Sequence, residues 1–179
     1  MPDGALTAVV SFIGVLVQLG GELLLVVLFM MLRRFVLRRS YFAAWTAAWA
    51  CGAAAIAALC VRYILMPQLS ATPIDESSFT VRALYVAYQL GKLASFALFV
   101  SGTAIYATGS RLEGSRWVVA ASTLLYAIAS VVLAGNLNQL VVWQAPIAVV
   151  SLGACAALLF TLPPSRRTLG SAAGGASTR

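Results

Sequence analysis

The chain has 179 residues, of which 61% are hydrophobic and only 9% charged, with a formal net charge of +7. Soluble domains carry roughly a quarter charged residues, so this chain cannot cover itself with polar groups in water, and its apolar surface is expected to face lipid. The positive charge does not point to nucleic acid: eight of the twelve basic residues fall in three short segments between or after apolar runs. These are Arg33, Arg34, Arg38 and Arg39, then Arg111 and Arg116, then Arg166 and Arg167, a pattern of loops rather than of a binding groove.

Five apolar runs follow one another, at 5–32, 41–66, 80–107, 117–134 and 139–162. Each reaches or approaches the ~20 residues needed to cross a bilayer as a helix. The expected fold is therefore all-α, an integral membrane bundle of five transmembrane helices over 1–162, with a disordered cytoplasmic tail over 163–179. The fourth run is the shortest; it extends toward Asn136 or begins inside the Arg116 loop. The first run has Asp3 where a signal peptide would carry a positive charge, and its basic residues come after the apolar stretch. Its N-terminus is expected outside. The Arg-rich segments at 33–39, 111–116 and 166–167 then share one side, while 67–79 and 135–138, without Lys or Arg, share the other. This places the C-terminus in the cytoplasm and the protein in a bacterial inner membrane.

Charges within the apolar runs are costly, about 2.5–3.5 kcal/mol each at a helix centre. Glu22 lies eleven residues before Arg33, roughly 16 Å by helical rise, and Lys92 ten residues after Arg82, roughly 15 Å. Both therefore sit near the midplane and are expected to face each other. Ser11, Gln18 and Glu22 share one face of the first helix; Tyr85, Gln89, Lys92 and Ser95 share one of the third, with Tyr88 adjoining. Ser122, Tyr126 and Ser130 form a stripe on the fourth. Gln18, Glu22, Tyr85, Gln89, Lys92 and Tyr126 are accordingly the candidate ligand or helix-packing residues. Three polar faces could enclose one small-molecule site, or the residues could bond to one another and only fix the packing.

The second run, mostly Ala from 43 to 58, suits the most crowded helix or a dimer face. Trp45 and Trp49 suit the cytoplasmic interface, with ring bodies in lipid and N–H groups near headgroups. Arg62, one turn from the outer end, is expected to snorkel outward toward Asp75 or Glu76. Asn136, Asn138 and Gln139 read as turn formers, with Gln144 and a kinking Pro146 following.

Three cysteines without a C-x-x-C spacing, no histidine, five acids and one lysine offer no plausible catalytic or metal site. No catalytic residue, metal or cofactor is expected.

The stretch from 32 to 109 resembles the N-terminal membrane region of bacterial sensor histidine kinases and diguanylate cyclases. The resembling residues are Arg33-Arg34, Arg38-Arg39-Ser40-Tyr41-Phe42 leading into Trp45 and Ala48-Trp49, then Arg62 and Pro67. In the third run they are Tyr88-Gln89-Leu90-Gly91-Lys92, Gly102, Tyr106 and Gly109. The resemblance covers a little under half of the chain and implies a sensing or anchoring module with output on the cytoplasmic side; no output domain is expected within the tail. The leading expectation is a non-enzymatic, sensor-like module that detects a small ligand, lipid or partner helix and signals to a cytoplasmic enzyme. The alternatives are an accessory or assembly subunit of a larger membrane complex, or a small transporter or channel subunit. The expected partners are the lipid bilayer, a signalling or membrane-complex protein and a second copy of the chain.

Overall fold

The computed structural model describes residues 3–35, 40–69, 74–75, 77–109, 116–134 and 136–160, with the side chains of 3–12, 116, 117 and 119 excepted. The expected tail at 163–179, Glu76 and the side chain of Ser11 lie outside the described residues. Among those described the chain is all-α. Helix α1 spans Asp3–Phe35 and α2 spans Ser40–Leu69, with a π-helical turn at Val61–Leu65 inside α2. Helix α3 spans Phe79–Thr108, α4 spans Arg116–Leu133 and α5 spans Leu137–Phe160.

Helices α1, α2, α3 and α5 are long and apolar enough to cross a membrane. Helix α4 has 18 residues and starts on the basic Arg116, which leaves it shorter than the other four. The four long apolar helices mark a multi-pass membrane protein.

Local chemistry sets the helix ends. Asp75 accepts from the Ser77 backbone N–H at 2.8 Å and from its hydroxyl at 2.6 Å. The turn so formed delivers Ser78, whose side chain accepts from the Val81 N–H and caps α3. At the other end, Gly109 takes φ 75° and donates its N–H to the Ile105 carbonyl, a left-handed stop that a side chain would disfavour. The Asn136 side chain accepts from the Gln139 N–H at 3.0 Å and caps α5. Asn136 thus serves as a turn former.

The centre of the bundle is the α2–α3 contact, where small residues let two backbones approach. A β-carbon on Gly91 would stand 2.8 Å from both the Cys51 carbonyl oxygen and the Ala55 β-carbon, and one on Gly102 would stand 2.6 Å from the Trp45 ring. Around this seam the core gathers Ala55, Ile56 and Leu59 from α2, Val81, Tyr85 and Tyr88 from α3, Val131 from α4 and Leu140 from α5. Helix α1 leans on α2; α4 and α5 lean on α3 and scarcely meet each other.

An aromatic cluster closes the end of the bundle that carries Arg33 and Arg34. Trp45 lies 6.0 Å from Phe29, 5.2 Å from Tyr41 and 6.0 Å from Tyr106, ring centre to ring centre. The expectation that Trp49 presents its N–H group to headgroups is corrected here. Trp45 seats its ring on Gly102, while Trp49 packs edge-on against Phe99 at 4.9 Å with its Nε1 buried. Glycine and alanine on the facing surfaces leave room for indoles inside.

Candidate functional site

Glu22 and Lys92 meet. Lys92 Nζ donates to Glu22 Oε1 at 2.7 Å, with side chains 14% and 10% exposed respectively. The spacing explains why they can: α1 and α3 both flank α2, and Gly52 of α2 leaves the gap through which Glu22 reaches across. A β-carbon on Gly52 would stand 2.6 Å from Glu22 Oε2. Oε2 itself is buried and accepts no hydrogen bond from the described residues.

One turn before Lys92, Gln89 is fully buried. Its Oε1 accepts from Gln144 Nε2, and Gln144 Oε1 accepts from the Tyr88 hydroxyl at 3.3 Å. This chain ties α3 to α5 by side-chain hydrogen bonds in the apolar interior, although Gln89 Nε2 is buried with no partner among the described residues. Gln144 is the main contributor that sequence reasoning left out of the site. Only the register of α5 against α3 reveals the partner.

Tyr85 is buried and its hydroxyl lies 3.0 Å from that of Tyr63. Tyr63 arrives there from the π turn, where an extra residue per turn rotates the helix faces. The same turn buries Arg62, which is 5% exposed and places its guanidinium carbon 5.2 Å from the Tyr63 ring centre. The expected outward snorkel of Arg62 is thus corrected: a regular helix was assumed where the turn is wider. Asp75, one of its two expected partners, is engaged by Ser77, and the other, Glu76, lies outside the described residues.

Two further expectations change. Gln18 is exposed, not turned into the bundle. It shares Glu22's side of α1, but α1 rests on α2 along a narrow strip and leaves that flank open. Tyr126 does not join the ion pair; its hydroxyl donates to the Trp143 carbonyl of α5 at 2.8 Å. Of its stripe, Ser122 is exposed, while Ser130 is buried and donates to the Ala127 carbonyl. Ser122, Thr123 and Tyr126 instead line a half-open crevice of about 290 Å³ with Leu93, Phe96 and Ser151, between α3, α4 and α5. The polar faces therefore form separate contacts strung along α3, not one enclosure.

No protein-family model, curated protein or solved structure matches this chain.

Proposed function

We propose that this chain is a non-enzymatic, sensor-like module of a bacterial inner membrane, crossing it five times with the N-terminus outside and the C-terminus in the cytoplasm. A ligand, lipid or partner helix that engages the polar seam shifts helix packing, and a cytoplasmic protein reads the shift. The observation that carries this reading is the Glu22–Lys92 pair at 2.7 Å. Helix α1 otherwise leans on α2 and exposes residues such as Val17, Leu24 and Met30 on its outer side. A helix held to α3 by a buried ion pair has two packings available, paired and released, and any ligand that prefers one of them biases the protein toward it. The distribution of arginines supports the orientation and the count of five. The resemblance of 32–109 to the membrane regions of sensor kinases and cyclases supports a cytoplasmic output.

Purification in mild detergent through a tag after Arg179, followed by identification of what comes with it, tests the reading. A soluble signalling enzyme is expected. A tag reachable only from outside the cell would overturn both orientation and output.

A second reading, an accessory subunit of a larger membrane complex, is favoured by the open flank of α1. Gly14 and Gly21 have no heavy atom within 4 Å of their β-carbon positions, and the exposed Gln18 lies between them. Small residues beside an amide suit helix–helix contact in lipid. Co-purification of a multi-subunit membrane enzyme, without a signalling protein, would favour it.

A further inference from the structure

Helices α4 and α5 both lean on α3 but scarcely meet each other. The Tyr126 hydroxyl bridges them at the Trp143 carbonyl, and the half-open crevice of about 290 Å³ occupies space that the two helices leave over α3. Its floor includes Leu93 and Phe96 of α3, and its walls carry hydroxyls: Ser122, Thr123 and Tyr126 from α4, and Ser151 from α5. Ser122 lies six residues after Arg116 at the start of α4, and Ser151 nine before Phe160 at the end of α5. By helical rise these positions are roughly 9 and 14 Å inside the helix ends. At that depth in a multi-pass membrane protein a half-open crevice exchanges its contents with lipid.

No charged side chain is among the described residues that line the crevice, so it suits a neutral guest. The hydroxyls set the sense of hydrogen bonding. Tyr126 has given its proton to Trp143, and its oxygen has only lone pairs left to offer. Serine and threonine inside helices commonly give theirs to a carbonyl one turn back, as Thr46, Thr108 and Ser130 do in this chain at 2.7, 2.8 and 2.9 Å. The crevice thus sets acceptors beside an apolar floor, and a guest that donates, a hydroxyl compound, matches it where an ester or ketone does not. Its size narrows the choice further. A cavity of about 150 Å³ holds benzene, so 290 Å³ takes a molecule of about ten to twelve non-hydrogen atoms. A helix about 10 Å across fills on the order of 120 Å³ per residue, so the crevice is too small to seat a partner helix.

We propose that this crevice binds a neutral long-chain alcohol dissolved in the lipid, its chain on Leu93 and Phe96 and its hydroxyl donating to the oxygens of α4 and α5. The site is separate from the Glu22–Lys92 pair and needs no cytoplasmic partner. Its test and the co-purification test of the sensor reading therefore succeed or fail independently.

The test is photolabelling of the full chain in phospholipid vesicles with an octanol that carries a diazirine, followed by mass spectrometry of the labelled peptides. Label is expected on the crevice segments 93–97, 122–126 and 147–151, several-fold above exposed residues of α1 such as Val17 and Leu24. An excess of decanol should lower the crevice label several-fold, while decane at the same mole fraction in the lipid should leave it. A chain carrying Thr123→Val, Tyr126→Phe and Ser151→Ala keeps the floor and loses acceptors, and in it decanol should compete no better than decane. Label spread evenly over the exposed residues overturns the proposal, as does equal competition by decane and decanol. Both are read on the unmodified chain, so neither depends on a variant folding. A triple variant that still favours decanol would also overturn it, because these hydroxyls would not be the acceptors.

Discussion

Gly52 and Glu22 occupy one space: where any other residue at 52 would have its β-carbon, Glu22 Oε2 stands 2.6 Å away. The carboxylate is held by Lys92 on its other oxygen, so it cannot retreat without giving up that bond. Gly52→Ala should therefore destabilise the protein despite alanine's better helix propensity. Overpacking costs about 1–3 kcal/mol, against a propensity gain of at most about 1 kcal/mol. Thermal unfolding in detergent should show a lowered midpoint, and a smaller drop when Gly52→Ala is added to a Glu22→Ala, Lys92→Met double variant than to the parent would trace the loss to this contact. A Gly52→Ala protein as stable as the parent would contradict the geometry.

Removing one member of the buried pair should hurt more than removing both. Lys92→Met leaves the Glu22 carboxylate in the interior opposite a thioether, and breaking such pairs costs about 3–5 kcal/mol. Lys92→Met with Glu22→Gln puts a neutral amide there and should recover a large part of that loss. A double-mutant cycle on unfolding free energies measures the coupling. Simple additivity would mean that the contact at 2.7 Å carries no energy.

The pairing of Glu22 with Lys92 was legible from the sequence because depth in a membrane is a linear count along a helix. Eleven and ten residues from the flanking arginines put both charges at one height, and lipid penalises leaving them apart. The five helices were legible for the same reason, since apolar length is local information. Azimuth was less legible. Gln18 lies on the right side of α1 for an inward stripe, yet the strip that α1 buries is too narrow to include it. Arg62 is turned inward by a π turn that its sequence, Val61–Leu65, does not advertise. Gln144 finds Gln89 and Tyr88 through the packing of α5 on α3, a relation between segments 55 residues apart. Tyr126 meets α5 and not the ion pair because α4 lies on the far flank of α3, and nothing within 117–134 fixes that choice.

Tyr126 should matter through its hydroxyl alone. Its ring lies edge-on to Trp143, with centres 6.5 Å apart, and its hydroxyl donates to the Trp143 carbonyl. Pro146 follows three residues later and withholds the N–H that would bind the carbonyl of Val142, so this turn of α5 is loosened. Side chains from neighbouring helices commonly satisfy such loosened backbone in membranes. Tyr126→Phe keeps the ring contact and should cost about 0.6–1 kcal/mol. Combined with Pro146→Ala, which restores the regular turn, the cost should shrink. An equal cost in both backgrounds would separate the hydroxyl from the proline.

The start of α3 should respond to acid through Asp75. The Ser77 hydroxyl and N–H both bond its carboxylate, and with Arg82 nearby they hold its pKa below the usual carboxylate range. A depressed folded-state pKa contributes stability that is present above the unfolded value, about 3.9, and is lost as pH falls through the lower folded value. Asp75 is fully exposed, so the effect is local fraying of the capping turn at Ser78, not global unfolding. Hydrogen exchange followed by mass spectrometry should show amides at the beginning of α3 losing protection only below pH 4. In Ser77→Ala the hydroxyl bond is gone, the folded pKa rises toward the unfolded one, and the loss should begin at higher pH. If both proteins lose protection at the same pH, Asp75 does not hold the cap, and Ser78 alone must do so through its bond to the Val81 N–H.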